Sequence, residues 1–171
     1  MKKTRVFIAL GLLCTLEIVL TRFVQIPVAI GTFTDRVSLG FLPIMLSGAF
    51  FGPVTGGITG GVADIIRAIL FPQGPFNPLF SISAILRGII YGIILHKKIT
   101  FPRMLISSII IFILINNLLT DYFISISYGN PFTAVLVSRI LTTSANFVVQ
   151  LLIGSAIGLP LERKIGYVRK W

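Results

Sequence analysis

The stretch GGVADIIRAILFPQGPFNPLF, residues 60–80, decides how this chain is read. Its first half has the apolar density of a membrane helix. Asp64 and Arg67 nevertheless stand inside it, three residues apart and therefore on one helical face. The helix then runs into a loop built on Pro72, Gly74, Pro75 and Pro78, where proline cannot continue it. Full charges inside an apolar helix either pair with other groups between helices or face a polar interior that several helices share.

Composition identifies the solvent. Of 171 residues, 55% are hydrophobic and 12% charged, and the mean hydropathy is +0.98. A soluble domain carries about 25% charged residues. The chain therefore reads as an integral membrane protein, one domain over residues 1–171. Its single cysteine, Cys14, excludes an internal disulfide and a cysteine-based metal site. Its one histidine, His96, sits beside Lys97 and Lys98 at a span end, which leaves no serine–histidine pair and no multi-histidine metal site in the membrane. No metal, no cofactor and no enzymatic activity are expected; an acid-only protease on Asp64 and Asp121 is the residual enzyme reading. The net charge of +10 is gathered at span ends, which argues for membrane topology and against nucleic acid. Lys2, Lys3 and Arg5 before an apolar run resemble a signal peptide. No small-x-small cleavage site follows and Glu17 interrupts the run, so a retained first helix is expected.

Six transmembrane helices are predicted: about 5–26 ending at Pro27, 37–51, from Gly52-Pro53 to Leu70, 81–95, 103–124 and 132–159. The second is short for a bilayer about 30 Å thick. Lys2, Lys3 and Arg5, then Lys97, Lys98 and Arg103, then Arg163, Lys164, Arg169 and Lys170 all fall on one side of such a fold. By the positive-inside rule that side is the cytoplasm, with both termini inside and loops 27–36, 71–80 and 125–131 outside.

The remaining basic residues are all arginine: Arg22, Arg36, Arg67, Arg87 and Arg139. At about 1.5 Å per residue, they fall in the outer half of the bilayer, together with Asp35, Asp64, Asp121, Asn116 and Asn117; Glu17 lies deeper. A charge at a helix centre costs about 2.5–3.5 kcal/mol, so several at one level should converge on a polar pocket open to the outside. The arginine excess points to an anionic ligand, since the guanidinium fork suits carboxylate or phosphate. Helix 6 puts Arg139, Thr142, Thr143, Asn146 and Gln150 on one face, and helix 4 repeats Ser83, Arg87 and Tyr91 every four residues. Helix 5 adds Asn117 and Asp121. Ion pairs within or between helices, such as Asp64 with Arg67 or Arg87, are the competing use of these charges. The loop from Phe71 to Pro78, with Gln73, Gly74, Phe76 and Asn77, is a candidate lid, or else a stiff connector.

Gly52, Gly56 and Gly60 recur every four residues, and Gly57 and Gly61 repeat the interval. Such faces let helix backbones approach closely, inside the fold or against another membrane protein. No Lys-Ser/Thr follows this glycine run, so it is not a phosphate loop, and the chain has no evident means of using ATP itself.

The ordered segments Ile18-Val19-Leu20-Thr21-Arg22-Phe23, Gly40-Phe41-Leu42-Pro43-Ile44, Phe50-Phe51-Gly52-Pro53, Gly60-Gly61-Val62-Ala63-Asp64, Leu70-Phe71-Pro72-Gln73-Gly74-Pro75-Phe76 and Arg87-Gly88-Ile89-Ile90-Tyr91-Gly92 carry a resemblance. Across nearly its whole length the chain resembles the substrate-binding S-components of energy-coupling factor (ECF) vitamin transporters, most closely the folate-specific members. The resemblance implies six helices, vitamin capture from outside, and a partner module of one transmembrane coupling protein and two cytoplasmic ATPases. The family's helix 1 coupling motif is Ala-xxx-Ala; Gly11 and Thr15 occupy those positions here, so Gly11, Thr15, Gly52, Gly56 and Gly60 form the expected docking set. Folate suits the pocket chemistry: two carboxylates for arginines, a pterin edge for Asp or Asn, and rings for Phe23, Phe76 or Phe80. The expected ligand residues are Arg22, Phe23, Asp64, Arg67, Gln73, Gly74, Phe76, Asn77, Arg87, Asn117, Asp121, Arg139 and Asn146. Riboflavin, pantothenate or pyridoxine are alternative ligands. A self-sufficient secondary transporter is the other reading, though no inverted repeat supports it.

Overall fold

The structure, a computed structural model, describes residues 2–30, 33–72, 77–96 and 98–165. Six helices run through them: α1 (Lys2–Phe23), α2 (Phe41–Phe51), α3 (Pro53–Leu70), α4 (Pro78–Leu95), α5 and α6 (Phe132–Ile165). Helix α5 is continuous but changes winding twice: α-helical over Phe101–Ile110, π-helical over Ile111–Thr120 and α-helical again over Asp121–Tyr128. The fold is all-α apart from an antiparallel hairpin, β1 (Gln25–Ile30) and β2 (Phe33–Ser38), inserted between α1 and α2.

That hairpin corrects the predicted outer loop over 27–36 and both helix ends beside it. Val24, Ile26, Val28 and Ile30 alternate with smaller or polar residues, which favours a strand over a longer helix. Pro27 cannot give a ladder hydrogen bond, and a two-stranded sheet tolerates it because both strands are edges. Helix α1 therefore stops at Phe23 and α2 starts at Phe41.

Among the described residues, four helices are long and apolar enough to cross a membrane, over Val6–Phe23, Pro78–Leu95, Phe101–Ser127 and Phe132–Arg163. The six predicted spans are thus six helices of unequal kind. Helix α2 has 11 residues, eight of them buried, and at about 1.5 Å per residue it reaches only half-way across a bilayer. It is the hub of the core: Phe41, Leu42, Ile44, Met45 and Ala49 pack with Tyr91 and Leu95 of α4 and Met104, Ile111 and Ile115 of α5.

Helices α3 and α4 meet backbone to backbone. A Cβ on Gly56 or Gly60 would lie 2.4 Å from the carbonyl oxygen of Gly88 or Ala84. Gly52, which opens α3 at φ 105°, is buried as well. The face expected to dock a partner through Gly52, Gly56 and Gly60 is therefore turned inward and joins α3 to α4. Of that set Gly11 and Thr15 are exposed, and nothing lies within 4 Å of a Cβ built on Gly11. Ser47 and Thr59 share a buried hydroxyl hydrogen bond of 2.7 Å between α2 and α3, of the kind that ties helices together in lipid.

Asn77 caps α4. Its side-chain oxygen accepts from the Leu79 amide at 3.0 Å, and Pro78 takes the first helical position. Its amide nitrogen donates to the Ser127 hydroxyl and pins α4 to the end of α5. Asn77→Ala should cost about 1 kcal/mol, read as a fall of about 2–4 °C in the thermal midpoint of the detergent-purified protein. An unchanged midpoint would show that the cap carries no stability.

Candidate functional site

The polar residues separate into two clusters, divided by which face of each helix carries them. The first lies among α1, α3 and α4. Arg67 is ion-paired with Asp64 and stands 3.7 Å from Glu17. Ser81 donates to the second Asp64 oxygen at 2.7 Å, and Thr21 donates to Glu17 at 2.9 Å. Asp64 and Glu17 are buried. The sequence alone assigns Glu17 no role, because its partner, Arg67, comes from a helix fifty residues away. Asp64 and Arg67 serve each other, as the ion-pair reading anticipates.

The second cluster lines a cavity of about 150 Å³ among β2, α2, α4, α5 and α6, formed by Arg36, Ser38, Phe41, Arg87, Asn116, Arg139, Thr143, Asn146 and Gln150. Strand alternation puts Arg36 and Ser38 on one face of β2. The Asn146 side chain donates to the Arg36 carbonyl at 3.1 Å and anchors the hairpin to α6. The four-residue stripe on α4 reaches across the cavity wall at each step. Ser83 accepts from Thr120 at 3.3 Å, Arg87 donates to the Asn116 side-chain oxygen at 3.1 Å, and Tyr91 donates to Gln150 at 3.4 Å. The α6 face answers it: Arg139 is ion-paired with Asp121, and Thr143 donates to Asn117 at 3.1 Å.

Three guanidinium groups thus converge on one small polar cavity. Arg87 is held there by a neutral amide, and its Nε is buried with no partner among the described residues. That arrangement is disfavoured in a low-dielectric site unless an anion completes it. The cavity is smaller than the roughly 300–1,000 Å³ of typical small-molecule sites, so in this shape it takes one end of a vitamin-sized ligand.

Of the expected ligand residues, Arg87, Arg139 and Asn146 line the cavity, and Asn117 and Asp121 stand directly behind its wall. Arg22 lies over the Phe71 ring at 5.3 Å, and Phe23 is 73% exposed; neither lines the cavity. Asp64 and Arg67 belong to the other cluster, and Asn77 is a helix cap. Gln73, Gly74 and Phe76 lie outside the described residues. The cavity adds Arg36, Ser38, Phe41, Asn116, Thr143 and Gln150. Arg36, Asn116, Thr143 and Gln150 are visible in sequence as polar residues at the right depth. Phe41 and Ser38 carry no such signal.

Known proteins resemble the chain over most of its length. The profile of the family described as "ECF-type riboflavin transporter, S component" matches residues 1–163. The folate transporter FolT of Clostridium novyi (strain NT) is 33% identical over 154 residues, covering 90% of this chain and 87% of that protein. FolT of Leuconostoc mesenteroides is 24% identical over 154 residues, covering 86% and 80%. A solved structure of FolT bound with folic acid superposes with a TM-score of 0.74 at 33% identity, covering 85% of this chain and 86% of that one.

Proposed function

We propose, from the premise that the chain belongs to the S-component family of ECF-type transporters, that it captures folate from outside the cell and surrenders it to an ATP-driven partner module. The family and the relatives are membrane transporters and not enzymes. The observation that carries the folate reading is the cavity where Arg36, Arg87 and Arg139 meet. Folate ends in a glutamate with two carboxylates, and a guanidinium binds a carboxylate with two parallel hydrogen bonds. Asn116, Asn146 and Gln150 offer amide donors and acceptors for the remaining polar edges.

A second reading has its own support, because the matching family profile is described by riboflavin. Riboflavin is uncharged at neutral pH and would bring no anion to Arg87, whose buried Nε has no partner among the described residues. A cationic vitamin such as thiamine would be repelled. The same charge argument therefore ranks folate above both.

The driving energy comes from elsewhere in this proposal. The partner is a transmembrane coupling protein with two cytoplasmic ATPases, docked on the open face of α1 at Gly11 and Thr15. The clusters of Lys and Arg at the chain ends put both termini on the ATPase side.

Calorimetric titration of ligand-stripped, detergent-purified protein tests the ligand. Near-stoichiometric binding of folate without ATP, with no heat from riboflavin or thiamine, is the expected result. Tight riboflavin binding in its place would keep the S-component class and overturn the folate reading.

A further inference from the structure

We propose that the seam between α3 and α4 is a lipid site, which holds one acyl chain of an anionic phospholipid with its headgroup at the basic turn after α4. An open groove of about 610 Å³ runs along this seam, and every residue lining it is isoleucine, valine, proline or glycine. Ile58, Val62 and Ile65 line it from α3, and Ile85, Ile89 and Ile93 from α4. Helix α4 is apolar enough to span a membrane, so the groove opens on hydrocarbon.

Its floor and its length select a lipid chain over the helix of a partner protein. A Cβ on Gly57 would stand 2.9 Å from Cγ1 of Ile89, and one on Gly61 2.6 Å from Cγ1 of Ile85. The isoleucines already lie over these glycines, so a second helix cannot reach their backbone as α4 reaches Gly56 and Gly60. What remains is a slot for a thin, flexible chain. From Pro53 to Ile65 the groove follows α3 for about 18 Å, at about 1.5 Å per residue. One leaflet of the hydrocarbon core is about 15 Å deep, half of its full thickness, and a single acyl chain runs that distance.

The charge at one end selects an anionic headgroup. His96, three residues beyond Ile93 and still helical in conformation, continues the groove-lining face of α4. Its Cε1 lies 3.7 Å from a Cβ built on Gly52, the residue before Pro53. Lys98 is exposed two residues further on. Arg103 donates to the Lys98 carbonyl at 3.4 Å, which brings a second cation to this turn. No Asp or Glu occurs in sequence between Asp64 and Asp121, and Asp64 is paired with Arg67 and does not line the groove. Basic residues at a membrane surface attract anionic lipid.

Native mass spectrometry of the intact protein, released from nanodiscs that mix phosphatidylglycerol and phosphatidylcholine with matched chains, tests the site. One phosphatidylglycerol should be retained per protein, preferred over phosphatidylcholine by about tenfold or more. Lys98→Gln combined with Arg103→Gln should erase that preference. Ile58→Trp, which fills the groove from a position 50% exposed, should release both lipids. Equal retention of the two lipids by the wild-type protein overturns the proposal, and this measurement needs no variant to fold. Retention that is unchanged in Ile58→Trp overturns it as well, because the lipid then sits elsewhere. Neither variant touches the arginine-lined cavity, so failure here leaves the folate reading in place.

Discussion

Arg87→Met should lower folate affinity at least a hundredfold while leaving the protein as stable as before, or more so. Arg87 has one hydrogen-bond partner among the described residues, the neutral side chain of Asn116, and its buried Nε has none. Each hydrogen bond to a charged group contributes about 1.5–3 kcal/mol, and a bidentate carboxylate contact makes two. At about 1.4 kcal/mol per factor of ten, losing both gives the predicted drop. Methionine keeps most of the side-chain volume on α4. It also removes a cation whose placement in a membrane helix costs about 2.5–3.5 kcal/mol near the centre. Arg139 is a less clean probe. Arg139→Ala should also weaken folate by at least tenfold, but it takes the guanidinium from Asp121, whose side chain is 0% exposed. Breaking such a pair costs about 3–5 kcal/mol, so lost binding would mix with lost folding. Calorimetry and thermal unfolding on the same Arg87→Met sample separate the two effects. Unchanged folate affinity would remove Arg87 from the site.

The five arginines show how far sequence carries the site. Counting residues from the span ends gives each side chain a depth, and the arginine-rich level is legible that way. Depth leaves out azimuth, the direction a side chain takes around its helix relative to neighbours far away in sequence. Arg67, in the last turn of α3, and Arg87, midway along α4, stand on consecutive helices, yet α3 turns Arg67 toward Glu17 of α1 while α4 turns Arg87 toward Asn116 of α5. The stripes Ser83–Arg87–Tyr91 and Arg139–Thr143–Asn146–Gln150 are legible because three- and four-residue spacings fix a face without reference to a partner. The hairpin is a different case. Its first strand is short, apolar and continuous with a membrane helix, so hydropathy cannot mark the boundary, and Pro27 marks it three residues late. The π-helical turns of α5 leave no trace in Ile111–Thr120, since those residues would suit an α-helix as well. They nevertheless carry Asn116 and Asn117 into the site, as such windings often do near functional residues.

Gly88→Ala should be among the most damaging single-methyl additions in the chain, because the backbone opposite it cannot yield and its neighbour in sequence is Arg87. A Cβ on Gly88 would stand 2.1 Å from the carbonyl oxygen of Gly56 and 2.4 Å from its carbonyl carbon. Ordinary van der Waals contact begins near 3.4 Å, and both obstructing atoms are main chain, so no rotamer change relieves the overlap. The two helices must separate. One turn away, Gly92 faces Pro53 with a virtual Cβ 2.2 Å from its Cα, so the contact is a line and not a point. Separation would strain the Ser81–Asp64 hydrogen bond between these helices and move Arg87 relative to Asn116. Overpacking a core costs about 1–3 kcal/mol where side chains can give way. Here they cannot, and a cost above about 4 kcal/mol, the range of exceptional substitutions, is expected. The control is Gly11→Ala: nothing lies within 4 Å of its Cβ, and alanine adds about 1 kcal/mol of helix propensity. Thermal unfolding and size-exclusion profiles of the two variants should therefore diverge, with Gly11→Ala monodisperse at the wild-type midpoint or above it. Gly88→Ala should aggregate or melt early, and whatever folded fraction survives should bind folate more weakly through the displaced Arg87. Equal stability of the two variants would mean that α3 and α4 do not meet through these glycines, and the placement of Arg87 in the cavity would fall with that contact.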